Sequence, residues 1–181
     1  MHKNLKIYYF IEKFNLKELS NINKPINIIF RNYSNRNYLD DLIKTRNFCK
    51  KKGFNLYLSN NLNIALKLKL EGVYLPSFNK RTIYNNLNII KKFKIIGSAH
   101  NVAEIKVKEE QNCEEIFLSP IFKTDKYKNY LGTIKFNILA NKTKKKVIAL
   151  GGVNPNNLKK VCSTRSIGVA SISWIKKNGL K

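Results

Sequence analysis

Carboxylates are what this chain lacks most. Its 181 residues carry 11 Asp and Glu against 35 Lys and Arg, a formal net charge of +24. Only three of the acids are aspartates, Asp40, Asp41 and Asp125, so a site built on paired aspartates has little to draw on. Arginine is scarce too: about 30 of the 35 basic residues are lysine, spread along the whole chain. Arginine is the better planar fork for phosphate and base edges. Its scarcity, with weak aromatic–basic clustering, argues against a specific nucleic-acid surface, although the positive field draws small anions. Three cysteines, Cys49, Cys113 and Cys162, are odd in number and far apart. That excludes a disulfide framework and a cysteine zinc site, and suits a reducing, cytoplasmic setting. No apolar run reaches the roughly 18 to 20 residues of a membrane span. The start, "MHKNLKIYYF", lacks a small-residue cleavage site, so no signal peptide is expected.

What is present is a repeating pattern. The chain is 43% hydrophobic and long enough for one well-buried domain, expected over residues 1–181. Short apolar runs alternate with amphipathic stretches. The strand candidates are Lys6–Ile11, Ile26–Phe30, Asn55–Ser59, Gly72–Leu75, Lys94–Ala99, Glu115–Ser119, Lys146–Leu150 and Ile167–Ile172. Helical stretches are expected between them, including Tyr38–Lys52, Thr82–Lys92 and Pro155–Cys162. Near-continuous apolar strands belong in a parallel sheet covered by helices. Eight such units predict a compact (β/α)8 TIM barrel whose last helix is a stub, with a wide doubly wound sheet as the alternative.

In a barrel the site lies at the C-terminal strand ends. Those ends carry Arg31 and Tyr33; Ser59, Asn60 and Asn61; Pro76 and Ser77; Ser98 and His100; Ser119 and Pro120; Gly151 and Gly152; Ile172 and Ser173. Gly151-Gly152 lets a ligand approach bare backbone, and a helix starting near Pro155 would add an N-terminus. With Ile172 and Ser173 at the next strand end, this is the two-loop phosphate arrangement of many barrels. A simple strand-to-helix turn is the competing reading.

Five stretches, in order, resemble the thiamine-phosphate synthase and thiazole tautomerase family. They are "NIALKLKLEGVYLP", "IIGSAHNVAE", "IFLSPIFKTDKYK", "VIALGGVNPNNL" and "GVASISWI". The resemblance implies a (β/α)8 barrel. It also implies an enzyme of thiamine biosynthesis, a transferase that couples a pyrimidine methyl diphosphate to a thiazole phosphate and releases pyrophosphate. By position it assigns Arg31 to the diphosphate and Thr124 to the thiazole carboxylate or phosphate. Gly151, Gly152, Ile172 and Ser173 fall in the phosphate cradle. Ser98 and His100 lie in the fifth-strand motif, and Lys126 or Lys128 stands for the loop lysine, whose own position is Tyr127.

The chain also departs from the pattern. The family's Gln and Lys on the second strand fall on Ile29 and Tyr33, and its metal-binding aspartates on Asn60 and near Asn79. Amides are poor ligands for Mg2+ beside carboxylates, so no protein metal ligand is expected. Mg2+ would enter, if at all, with the substrate pyrophosphate, and Arg31, Lys80, Arg81 and the lysine-rich loop would supply charge instead. Two alternatives stand beside the synthase. One is a thiazole tautomerase-like enzyme with His100 moving the proton. The other is a barrel that binds phosphorylated ligands without turnover. The partners implied are small phosphorylated pyrimidine and thiazole substrates, with neither specific nucleic acid nor membrane; a homo-oligomer is left open.

Overall fold

The computed structural model describes residues 5–33, 38–82, 92–125 and 127–180. Eight strands alternate with helices: β1 (Lys6–Ile11), α1 (Leu16–Ser20), β2 (Asn27–Phe30), α2 (Leu39–Lys52), β3 (Asn55–Ser59), α3 (Leu62–Lys67), β4 (Gly72–Leu75), β5 (Lys94–Ala99), α4 (Val102–Glu110), β6 (Glu115–Leu118), α5 (Gly132–Ala140), β7 (Lys146–Leu150), α6 (Leu158–Cys162), β8 (Gly168–Ser171) and α7 (Ser173–Asn178). All pairings are parallel and run in chain order, and β8 closes on β1 through Lys6↔Gly168 to Tyr9↔Ser171. This is the closed (β/α)8 barrel that the apolar periodicity predicts. The expected helix over Thr82–Lys92 falls largely outside the described residues.

Two apolar layers hold the barrel. Inside it, Tyr8, Phe10, Ile29, Tyr57, Tyr74, Ile96, Phe117, Ile148 and Ala170 interlock. Phe10, Tyr74 and Phe117 meet edge to face at 5.2–6.2 Å. Between strands and helices lies the second layer, with Ile105, Phe136 and Val161 on one side and Leu19, Leu42 and Ala65 on the other. Large buried side chains of this kind contribute about 1.5–3 kcal/mol each.

At the N-terminal end of the strands, buried Glu115 accepts hydrogen bonds from Lys6 Nζ and Tyr8 Oη and so ties β6 to β1. Burial and the adjacent Glu115 carboxylate push the Tyr8 phenol far up. It stays protonated and remains a donor.

Asparagine starts several helices. Asn15, Asn61 and Asn101 each accept the N–H three residues on, at 3.2, 3.1 and 2.9 Å. The helix expected from Pro155 begins instead at Leu158. Asn154 Oδ1 accepts the N–H groups of Asn156 and Asn157, and Asn157 Oδ1 accepts that of Asn154. These local bonds hold a turn that competes with helix. The last helix is the expected stub, six residues long.

Candidate active site

Several strand ends open into a cleft of 410 Å3. Its floor and walls are Arg31 after β2; Ser119, Pro120, Thr124, Asp125 and Tyr127 after β6; Leu150 to Val153 after β7; and Ala170 to Ser173 at β8. A polar shoulder of 330 Å3 continues from it, adding Lys123, Asn154, Trp174 and Lys177. Thr124, Asp125, Gly152, Val153 and Ser173 line both.

The β7 loop cannot carry side chains at its two glycines. Gly151 has φ +93° and Gly152 φ +69°, a region costly for other residues. A Cβ on Gly152 would lie 2.4 Å from the Lys123 carbonyl oxygen, and one on Gly151 would lie 2.8 Å from Pro120 Cβ. The β6 loop therefore packs directly on bare β7 backbone. Ile121 N–H donates to Leu150 O at 2.9 Å and Phe122 N–H to Gly151 O at 3.1 Å. The Ser119–Pro120 bond is cis. The glycines thus serve the fold and the cleft together: by letting the β6 loop in, they bring Lys123 and Thr124 to the same edge as Ser173. Thr124 Oγ1 accepts the Tyr127 N–H at 3.0 Å, which folds the loop over the cleft.

Arg31 lines the cleft from the β2 end. Its guanidinium carbon lies 5.0 Å above the centroid of Phe10, the aromatic plug at the top of the barrel. A cation–π contact orients the group while leaving its N–H fork for an anion. Beside it, Tyr33 Oη bonds Ser59 Oγ at 2.7 Å, and the Tyr33 ring meets Phe78 at 5.8 Å. Burial raises the Tyr33 phenol, against the lowering effects of the Ser59 bond and Arg31.

The cleft gathers six of the sequence-predicted residues: Arg31, Thr124, Gly151, Gly152, Ile172 and Ser173. Of the other five, four lie elsewhere. Ser98 is buried beneath Tyr74, whose hydroxyl it bonds. His100 is exposed on the neighbouring strand end. Its Nδ1 lies 2.8 Å from Ser119 O and its N–H donates to Glu104 Oε2 at 2.7 Å. Nδ1 therefore carries the proton and donates to that carbonyl. Lys128 is exposed outside the cleft lining, and Lys126 lies outside the described residues. Asn60 lines a separate 320 Å3 recess with Phe78, Asn79, Lys80 and Arg81.

That recess tests the fit of Mg2+. Asn79 Nδ2 donates to Asn60 Oδ1 at 2.7 Å, while Asn79 Oδ1 accepts the Arg81 N–H at 2.9 Å. Both amide oxygens are engaged, the lining has no carboxylate among the described residues, and two cations flank it. Mg2+ is usually held by one or two carboxylates with water and phosphate completing its octahedron, and these residues do not fit it. Among the described residues no three His, Cys, Asp or Glu side chains group together. No described helix is long and apolar enough to cross a membrane.

Lys123 and Lys177 were not singled out from the sequence. Lys177 had a legible signal: on a helix it falls one turn after Ser173, on the same face. Lys123 had none, because its place depends on how the β6 loop packs on the β7 glycines.

Comparison with known proteins agrees with this architecture. The profile described as "Thiamine monophosphate synthase" matches residues 23–175. A thiamine-phosphate synthase of Prochlorococcus marinus (strain MED4) is 29% identical over 149 residues, 81% of this chain and 41% of the relative. A putative thiamine-phosphate synthase 2 of Aquifex aeolicus is 31% identical over 135 residues, 72% of this chain and 70% of the relative. The chain spans about 40% of the length of the Prochlorococcus relatives it matches. Among solved structures, a thiamine phosphate pyrophosphorylase from Pyrococcus furiosus superposes with a TM-score of 0.76 at 19% identity, covering 98% of this chain and 93% of that one. The N-(5'-phosphoribosyl)anthranilate isomerase of Pyrococcus furiosus gives 0.68 at 16% identity, covering 98% and 92%. At these identities both likenesses speak for the fold.

Proposed function

The chain belongs to the thiamine monophosphate synthase family, and from that premise we propose that it couples a pyrimidine methyl diphosphate to a thiazole phosphate, releasing pyrophosphate. The observation that carries the reading is a cleft, with its polar shoulder, lined by cationic or bare-backbone groups from two sets of strand ends. Arg31 comes from one; Gly152, Ser173, Lys123 and Lys177 come from the other. Two anionic substrates need such a division, and holding them face to face removes much of the entropic barrier to reaction.

The chemistry follows from the charges. The bond between the pyrimidine methylene carbon and the diphosphate oxygen breaks, and the electron pair leaves with pyrophosphate. The thiazole nitrogen then donates its pair to the carbon, forming the C–N bond and a cationic thiazolium. Arg31, fixed on Phe10, meets negative charge as it develops on the leaving group; preorganised donors of this kind are effective because they need no reorganisation. The β7 and β8 ends hold the thiazole phosphate. The apolar floor of Leu150 and Ala170 excludes water that would otherwise capture the cation. A tautomerase reading would need an imidazole at the cleft; His100 does not line it and is engaged with Ser119 and the start of α4.

The division of labour is tested by steady-state kinetics of two variants. Arg31→Ala is expected to lower turnover about 10²-fold and to raise KM for the diphosphate substrate. Lys177→Ala is expected to raise KM for the thiazole phosphate alone. Loss of thiazole phosphate affinity in Arg31→Ala with diphosphate affinity intact would overturn the assignment.

A further inference from the structure

Lys108 of α4 is completely buried, and among the described residues no carboxylate bonds it. Its ammonium donates to Pro76 O at 2.9 Å, Asn79 O at 2.9 Å and Gln111 Oε1 at 2.7 Å, which accounts for all three protons. Gln111, also fully buried, donates to Asn79 O at 2.9 Å and Arg81 O at 2.8 Å. Gly97 of β5 makes the space: a Cβ there would lie 2.8 Å from Lys108 Cδ. Lys108 of α4 and Gln111 at its C-cap therefore grip three carbonyls of the loop after β4. A buried cation is costly unless its donors are satisfied, and here every acceptor but one belongs to that loop.

The grip has a consequence at the barrel mouth. The same loop carries Asn79, bonded to Asn60 beyond β3, and the exposed cations Lys80 and Arg81. With its backbone fixed from beneath, the loop presents those cations at one place. Desolvation lowers the Lys108 ammonium to about 8, against the raising effects of Cys113 and Glu104. It remains largely protonated at neutral pH.

We propose that Lys108 is a positioning residue for anion binding: with Gln111 it holds the β4 loop so that Lys80 and Arg81, in the recess joined to the Arg31 side of the cleft through Tyr33 and Phe78, receive the outer phosphate of the diphosphate that Arg31 meets, without a protein-bound metal. The choice of the diphosphate end rests on the function proposed above. The test does not need turnover. Inorganic pyrophosphate is titrated calorimetrically, in EDTA, into the wild-type chain, Lys108→Met and Gln111→Leu, and amide hydrogen exchange is followed over residues 76–82. Gln111→Leu keeps the test open should Lys108→Met not fold.

The expected result is about tenfold weaker pyrophosphate binding and faster exchange of 76–82 in either folded variant. In the coupling reaction KM for the diphosphate substrate rises while kcat is retained, a split that general loss of folded protein would not give. Pyrophosphate affinity within twofold of wild type, unchanged exchange in 76–82, or no binding by the wild-type chain in EDTA would each overturn the proposal. Absence of coupling activity with the binding and exchange results intact would overturn only the function proposed above.

Discussion

At the scale of single residues, charge without carboxylate partners is the recurring theme. Arg31 rests on an aromatic ring and Lys108 on neutral oxygens. The second arrangement has a pH signature. An unfolded lysine titrates near 10.5 and Lys108 near 8, so between those values the unfolded chain binds more protons than the folded one. Stability from this group therefore rises with pH through that window and is lowest below about 8. Glu104 and Cys113 are the ionisable groups acting on it. Wild type should gain roughly 1–3 kcal/mol relative to Lys108→Met between pH 7 and 10, read from denaturant midpoints. A difference independent of pH would show that the ammonium is not held as described. Nothing in "NVAEIKVKEE" distinguished Lys108 from its neighbours. Its burial depends on the absent side chain of Gly97, and that pairing exists only once β5 and α4 are packed.

At the scale of elements, the eight strands were legible to within one residue at each end, because a parallel strand buried on both faces leaves an apolar run in the sequence. Strand ends followed from the strands, so Arg31, Gly151, Gly152, Ile172 and Ser173 could be placed in advance. Loops could not. Asn154 and Asn157 hold a turn where the sequence suggests a helix start, and the β6 loop crosses the β7 glycines by backbone contacts that no side-chain pattern records. The crossing makes a prediction. Gly152→Ala should lose roughly 2–4 kcal/mol of stability, combining positive φ with a 2.4 Å clash against the Lys123 carbonyl. It should also weaken thiazole phosphate binding. Thermal unfolding within a degree of wild type would refute the close packing.

At the scale of the whole molecule, a net charge of +24 gives a long-range positive field that draws small anions. A cleft shoulder and a recess are both edged with lysine or arginine, so for the proposed anionic substrates kcat/KM should fall severalfold as ionic strength rises from about 0.01 to 0.15 M, where the screening length drops from about 30 to 8 Å. A flat salt profile would confine the charge to solubility. The barrel itself depends on the floor bond between β6 and β1. Glu115→Leu leaves the Tyr8 hydroxyl buried without an acceptor and should cost about 1–3 kcal/mol.

The most direct measurement of the central claim is product analysis. The chain is incubated with the pyrimidine methyl diphosphate and the thiazole phosphate, and the mixture is resolved by mass spectrometry. The account predicts thiamine phosphate and pyrophosphate in equal amounts, with formation sharply reduced in Arg31→Ala. Binding of both substrates with no coupled product, in EDTA or in Mg2+, would contradict it.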